Sequence, residues 1–190
     1  MRVLGIDPGS RFLGYGVVED GKGRLTHVGH GVVRADPTAS LEVRLAEIFD
    51  ELTRVVALYR PEAVAVEGVF AFRGLRSALV LGHARGVALL VAARAGLPVH
   101  EYPPARVKRS VGAGGAGAKG AVGRMVHGLL GLTDTGRHDA ADALAVAICH
   151  IGYSKRGAGP ARRPSGRKLA GLKALEGRLA PSYQRFGAAS

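Results

Sequence analysis

The sequence predicts an α/β fold, a mixed five-stranded sheet with helices on both faces. Three short apolar runs separated by turn residues open the chain, and helical and strand-like periodicities then alternate. Of 190 residues 47% are hydrophobic, which suffices for one well-buried domain but not for two large ones.

Val3 to Ile6 is an apolar run stopped by Asp7-Pro8-Gly9, a turn signal. Gly14 to Val18 forms a second run, and Glu19-Asp20-Gly21-Lys22-Gly23 after it predicts a hairpin turn. Leu25 to Val33 alternates loosely and completes an antiparallel meander before Asp36-Pro37 breaks the chain. Ser40 then caps a helix in which Leu41, Leu45, Ile48, Leu52 and Tyr59 recur at helical spacing, and Pro61 ends it. Ala63 to Val66 is continuously apolar, as expected of a strand covered on both faces. Ser77 to Ala95 predicts a second helix, packed closely enough to tolerate Gly82 and Gly86, and Pro98 to Tyr102 a fifth strand. A glycine-rich loop from Gly112 to Gly120 leads into a short helix around Val122 to Leu130, and Asp139 to Ile151 predicts the last helix. This order of elements is that of the RNase H-like architecture (the retroviral integrase superfamily), although other α/β folds share the pattern.

The expected division is an RNase H-like domain over residues 1 to 152 and a basic, disordered tail over 153 to 190, rich in Gly, Pro, Ala and Ser, with one marginal helix near Leu169 to Leu179. The formal net charge of +12 suggests a polyanionic partner. Lys155 to Arg185 carries nine Lys or Arg against the single acid Glu176, so two-thirds of the excess lies in the last forty residues. Such a tail is a solvated run, a source of non-specific phosphate attraction, or both. A single cysteine, Cys149, excludes an internal disulfide framework and a thiolate zinc cluster. No stretch approaches the ~20 uninterrupted apolar residues of a membrane span, and MRVLGID reads as a buried strand rather than a signal peptide. A cytoplasmic protein without membrane contact is the expectation.

The chemistry lies in the acids. Asp7 follows the first strand, where Asp-Pro-Gly also favours a plain turn. Glu67 ends the strand Ala-Val-Ala-Val, and carboxyl strand ends are where ligands collect in α/β sheets. A Glu between Val66 and Val69 is costly to bury without a cation or donor. Asp139 and Asp142, three apart at a helix start, lie on one face, and capping accounts for only one of them. Ala140, Ala141 and Ala143 let that helix lie close to the sheet. Carboxylates without cysteine or clustered histidine suit Mg²⁺ or Mn²⁺ rather than zinc. Assembled without metal, some would stay protonated by mutual repulsion. Two ions about 3.5 to 4 Å apart would offset it and support in-line phosphodiester hydrolysis to 5′-phosphate ends.

The segments GIDPGSRFLGYGVVE, AVAVEGVFAFR, SALVLGHARGVALLVAA and HDAADALAVAICH, in this order and at these intervals, resemble the bacterial crossover (Holliday) junction endodeoxyribonuclease family RuvC over residues 1 to about 152. The resemblance implies that Asp7, Glu67, Asp139 and Asp142 hold two Mg²⁺ ions. It further implies that Phe70 touches junction bases and that Lys108 and Lys119 lie near the cleaved strand. It implies a homodimer that nicks a four-way DNA junction symmetrically, working with the RuvA–RuvB branch-migration motor. Base stacking by Phe70 also fits its position on physical grounds, whereas Phe72 serves equally as core. Arg73 and Arg76 are candidate backbone contacts, and Lys108, Arg109 and Lys119 flank a loop where the chain can approach phosphates closely. Their alternative is solvated charge. Gly68 departs from the larger polar residue usual in the family. His138, beside the acid pair, caps the helix or assists as a ligand, with the cap preferred.

Other readings remain at this level. GIDPGS also opens actin-like kinases and ATPases, but those need two lobes and a second phosphate turn. A basic RNase H-like module could bind branched DNA without cleaving it, and related nucleases act on RNA–DNA hybrids or as transposases.

Overall fold

A computed structural model of the chain describes residues 1–68, 75–114, 120–155 and 157, with backbone only at 75 and 76. Strands β1 (Arg2–Asp7), β2 (Phe12–Gly21) and β3 (Arg24–Arg34) form the expected antiparallel meander. Lys22 and Gly23, at φ 52° and 92°, make the two-residue turn whose positive angles match strand twist. Helix α1 (Leu41–Tyr59) follows, closed by Arg60 at φ 47° just before Pro61. Ser40 stands at its N-cap, but the hydroxyl bonds Glu42 at 2.5 Å rather than the backbone.

Strand β4 (Ala63–Glu67) then pairs parallel with β1, and after α2 (Leu75–Arg94) strand β5 (Val99–Tyr102) pairs parallel with β4. The sheet order is β3-β2-β1-β4-β5. Helices α3 (Pro104–Ser110), α4 (Ala121–Leu130) and α5 (His138–Lys155) complete the described chain.

Alternation along the strands divides the core in two. Leu4, Ile6, Val64 and Val66 face α1 and α2, packing with Ile48, Leu52, Ala88 and Val91. Val3, Val18 and Ala65 face the other way, onto Leu144, Ala147 and Cys149 of α5, Val107 of α3 and Val126 of α4. Helices thus cover both faces, as predicted.

Glycines let α5 lie against the strands at backbone distance. A Cβ on Gly5 would stand 2.0 Å from the Ala143 carbonyl oxygen, one on Gly14 1.9 Å from that of Asp139, and one on Gly16 2.6 Å from Cγ of Leu144. The alanines of α5 supply the complementary small surface, with Ala140, Ala143, Ala145 and Ala147 all at 0% exposure.

Four features add to the expectations or depart from them. Pro104–Ser110 forms a helix that the sequence reading left unassigned, begun by Pro104 at its first turn, where a missing N–H costs nothing. Helix α5 runs to Lys155, past the expected boundary at 152, and Lys155 pairs with Asp20 at 2.8 Å. Gly82 and Gly86 are not closely packed, since a Cβ on either meets nothing within 4 Å. Finally, Ser77–Arg94 has the length and average apolarity of a span, with mean hydropathy 1.3, although His83, Arg85 and Arg94 interrupt it and no uninterrupted apolar stretch of that length is present. Its Ala84, Ala88, Val91 and Ala92 are nevertheless buried in the core, and Arg85 pairs with Glu101 of β5. The glycine loop from 115 to 119 and the tail from 158 lie outside the described residues.

Candidate active site

The acids converge because of strand parity and the close crossing of α5. Gly5 and Ala65 face α5, so Asp7 and Glu67, two residues further along their strands, point to the same side. They end neighbouring parallel strands, one residue beyond the paired Ile6 and Val66. The Gly68 N–H donates to the Tyr102 carbonyl at 2.8 Å, which fixes the end of β4 and gives Gly68 a backbone role. On the other side of β1, Asp7 pairs with Gly14, and Gly14 is the residue that Asp139 crosses. The first turn of α5 therefore delivers Asp139 and Asp142 beside the two strand-end acids.

Electrostatics show how tightly these groups sense one another. Burial, then the charges of Glu67, Asp142 and Asp139, push the Asp7 carboxyl up to about 8. Burial and Asp142 push Glu67 up to about 7, against a downward pull from Lys108. Asp142 is raised by burial and by Asp139, and lowered by His138 and Lys108. Lys108, exposed on α3, lies near enough to the acids for its charge to act on Glu67 and Asp142. Among the described residues no three acidic, histidine or cysteine side chains stand close enough together, as placed, to hold one cation. The set is an open, mutually repelling cluster of hard oxygen donors whose charge a divalent ion would neutralise, so it fits Mg²⁺.

Arg137 was not anticipated. Its Nε donates to Asp139 Oδ2 at 3.0 Å, and its guanidinium lies 3.7 Å from the centre of the Phe12 ring. Phe12 and Arg137 are far apart in sequence, so no local pattern signals the pair. His138 is the first residue of α5 and is exposed, and its charge favours ionised Asp142. Arg109 is exposed on α3, with Nε donating to the Ala105 carbonyl at 3.2 Å. Phe70, Phe72, Arg73, Lys119 and the Arg76 side chain lie outside the described residues.

A pH dependence follows. Each raised carboxyl binds its proton more tightly folded than unfolded, so the folded state holds more protons and stability falls as pH rises. The window extends from the ordinary values of 3.8 and 4.5 to about 8 for Asp7 and about 7 for Glu67. Metal-free protein is expected to lose several degrees of Tm between about pH 5 and about pH 8, with Asp7→Asn removing much of the loss. A parallel pair of Tm curves for parent and variant would contradict it.

An α/β sheet of this order, with acids at the ends of its two central parallel strands and on the helix crossing them, is that of an RNase H-like nuclease. A family model described as "Crossover junction endodeoxyribonuclease RuvC" matches residues 3–150. The chain belongs to the RuvC family of crossover junction endodeoxyribonucleases. It is 61% identical over 188 residues to the protein so named in Myxococcus xanthus, covering 97% of this chain and 98% of that one. The protein so named in Trichlorobacter lovleyi is 52% identical over 163 residues, covering 85% and 92%. Among solved structures, Thermus thermophilus RuvC in complex with Holliday junction substrate is 40% identical with a TM-score of 0.77, covering 83% of this chain and 96% of that one. The yeast mitochondrial Holliday junction resolvase Ydc2 shares the fold at 13% identity and a TM-score of 0.59, covering 81% and 79%.

Proposed function

We propose that the chain resolves four-way DNA junctions by paired symmetric nicks, with Asp7, Glu67, Asp139 and Asp142 as the catalytic residues holding two Mg²⁺ ions, for which Mn²⁺ substitutes. The observation that carries this reading is the convergence of four acids, two of them raised far above their ordinary range, where β1, β4 and α5 meet. The Thermus thermophilus relative, described with a Holliday junction substrate, supports the choice of DNA.

Bound Mg²⁺ supplies charge neutralisation, water activation and stabilisation of the departing 3′ oxygen. The protein supplies position. The strand ends hold Asp7 and Glu67, and the Gly14 contact holds the start of α5. Lys108 brings positive charge to the rim, where a phosphate approaches. From the sequence we assign Arg109, Lys119, Arg73 and Arg76 to backbone phosphate contact and Phe70, with Phe72, to contact with unpaired bases. His138 we assign to favouring ionised Asp142 rather than to ligation.

The working form is a homodimer. Helix α2 leaves Leu79, Gly82, His83, Gly86, Leu90 and Ala93 exposed at helical spacing, with Leu79 and Leu90 at 57% and 51%. Small residues within such a stripe allow close helix crossing, and a two-fold axis makes it self-complementary. Leu79→Lys with Leu90→Lys is expected to give monomers that make single, unpaired nicks; an unchanged sedimentation coefficient would remove this surface from the dimer. The proposed setting is the cytoplasm, in partnership with the RuvA–RuvB motor.

The test offers a synthetic four-way junction, a linear duplex and an RNA–DNA hybrid with Mg²⁺ or Mn²⁺. Cleavage confined to the junction is expected. Binding without nicking favours the non-cleaving module, and cleavage of hybrid or duplex ends favours the other nuclease classes. Removal of residues after about 155 is expected to weaken junction binding and flatten its salt dependence without moving the cuts, since eight basic residues lie from Arg156 to Arg185. An unchanged salt slope would make the tail a spectator.

A further inference from the structure

Two histidines of β3 have no part in the site above. His27 and His30 are three residues apart, which in a regular strand places them on opposite faces. A bulge changes this. Val17 pairs with Gly29 and Val18 with His27, so Val28 is the additional residue, and His30 pairs with Gly16. Gly16 and Val18 both face α5, so both histidines do too. Their ring centres are 4.8 Å apart, and Nε2 of His27 stands 2.7 Å from Nδ1 of His30. One facing nitrogen must carry a proton and the other a lone pair. His127 of α4 and Asp134 of the loop entering α5 lie near enough for their charges to act on His30. The ring of His127 is held in turn, with Nε2 3.1 Å from the Thr135 hydroxyl.

We propose that His27 and His30 are the core of a second divalent-cation site, selective for nitrogen-preferring ions such as Zn²⁺ and Co²⁺, with water completing the shell. Once the ring that donates the shared proton carries it on its other nitrogen, two neutral imidazoles present facing lone pairs to such an ion. Ligand distances of about 2.0–2.1 Å put two nitrogens on one ion about 2.9–3.4 Å apart, so the rings need part by only a few tenths of an ångström. Burial holds both imidazoles below their usual range, which keeps their lone pairs available at neutral pH. The nitrogen donors also separate this site from the carboxylate cluster, which as an all-oxygen set takes Mg²⁺. Among the described residues no group of three His, Cys, Asp or Glu side chains is placed to hold a metal ion, so the histidine pair is the protein's whole contribution and water supplies the rest.

The test is a Co²⁺ titration of the full chain in excess Mg²⁺, read by visible absorption, with Zn²⁺ as competitor. One Co²⁺ ion displaced by Zn²⁺ is expected. His27→Ala and His30→Ala should each weaken it at least tenfold, and Asp7→Asn should leave it unchanged. His30→Gln, closer in size, should lose the ion with an unchanged circular dichroism spectrum, which separates ligation from folding. Binding that survives both histidine substitutions, that Mg²⁺ abolishes, or that gives no nitrogen-ligand absorption overturns the site.

Discussion

Asp7→Asn is expected to lower junction cleavage by at least about 10³-fold while leaving junction affinity within about twofold. The carboxylate stands where β1 ends, beside Glu67 and facing the first turn of α5, and burial, then the surrounding acids, push it up to about 8. A group so perturbed is poised to exchange its proton for a metal, and the metal's work on the reacting phosphate is worth several kcal/mol of barrier, or about three decades in rate. Binding draws mainly on phosphate neutralisation by Lys and Arg, which the substitution leaves intact. Glu67→Gln should behave alike. Single-turnover rates and gel-shift affinities for parent and variant check both halves. Cleavage at the parent rate removes the residue from the catalytic set, and equal losses of cleavage and binding assign it to structure.

Gly14→Ala should be nearly as damaging to cleavage without touching any acid. The added methyl would fall 1.9 Å from the Asp139 carbonyl oxygen, a contact that only movement of β2 or of the α5 start can relieve. Overpacking of this kind costs about 1–3 kcal/mol of stability. A displacement of about 1 Å in a catalytic group costs roughly 10²-fold in rate. Loss of about 10²-fold in cleavage with a lower Tm is therefore expected. Gly21→Ala is the matched control on the same strand, because a Cβ there meets nothing within 4 Å and its φ is not positive. Equal cleavage by both variants would show that the close crossing of α5 does not position the acids.

The parts of this arrangement that local rules govern were legible in the sequence. Asp7 and Glu67 announced themselves because apolar runs ended on them, and the Asp139/Asp142 spacing placed two acids on one helical face. The meander was readable from its turn residues, and α1 from Leu41 to Tyr59 matched its periodicity to the residue. What escaped depended on contacts across the fold. Helix α3 is only seven residues long, and its Pro103-Pro104 start reads as a loop boundary although Pro104 is a favourable first helical residue. Gly82 and Gly86 carried a packing signal with the wrong partner in mind, since the space they leave opens outward rather than onto the sheet. The meaning of Gly5, Gly14 and Gly16 depends on which helix crosses them. The bulge at Val28 and the stacking of Arg137 on Phe12 have no sequence pattern of their own. For the same reason the resemblance to the RuvC family added most where physics alone was silent, in the choice of a four-way junction over other nucleic acids.

The direct measurement is Mn²⁺ binding to the protein on an uncleavable junction, followed by paramagnetic resonance and competed with Mg²⁺. The account predicts two Mg²⁺-displaceable Mn²⁺ ions per chain, with at least one lost in Asp7→Asn and in Asp142→Asn while the junction stays bound. Equal Mn²⁺ occupancy in the parent and both variants would contradict it.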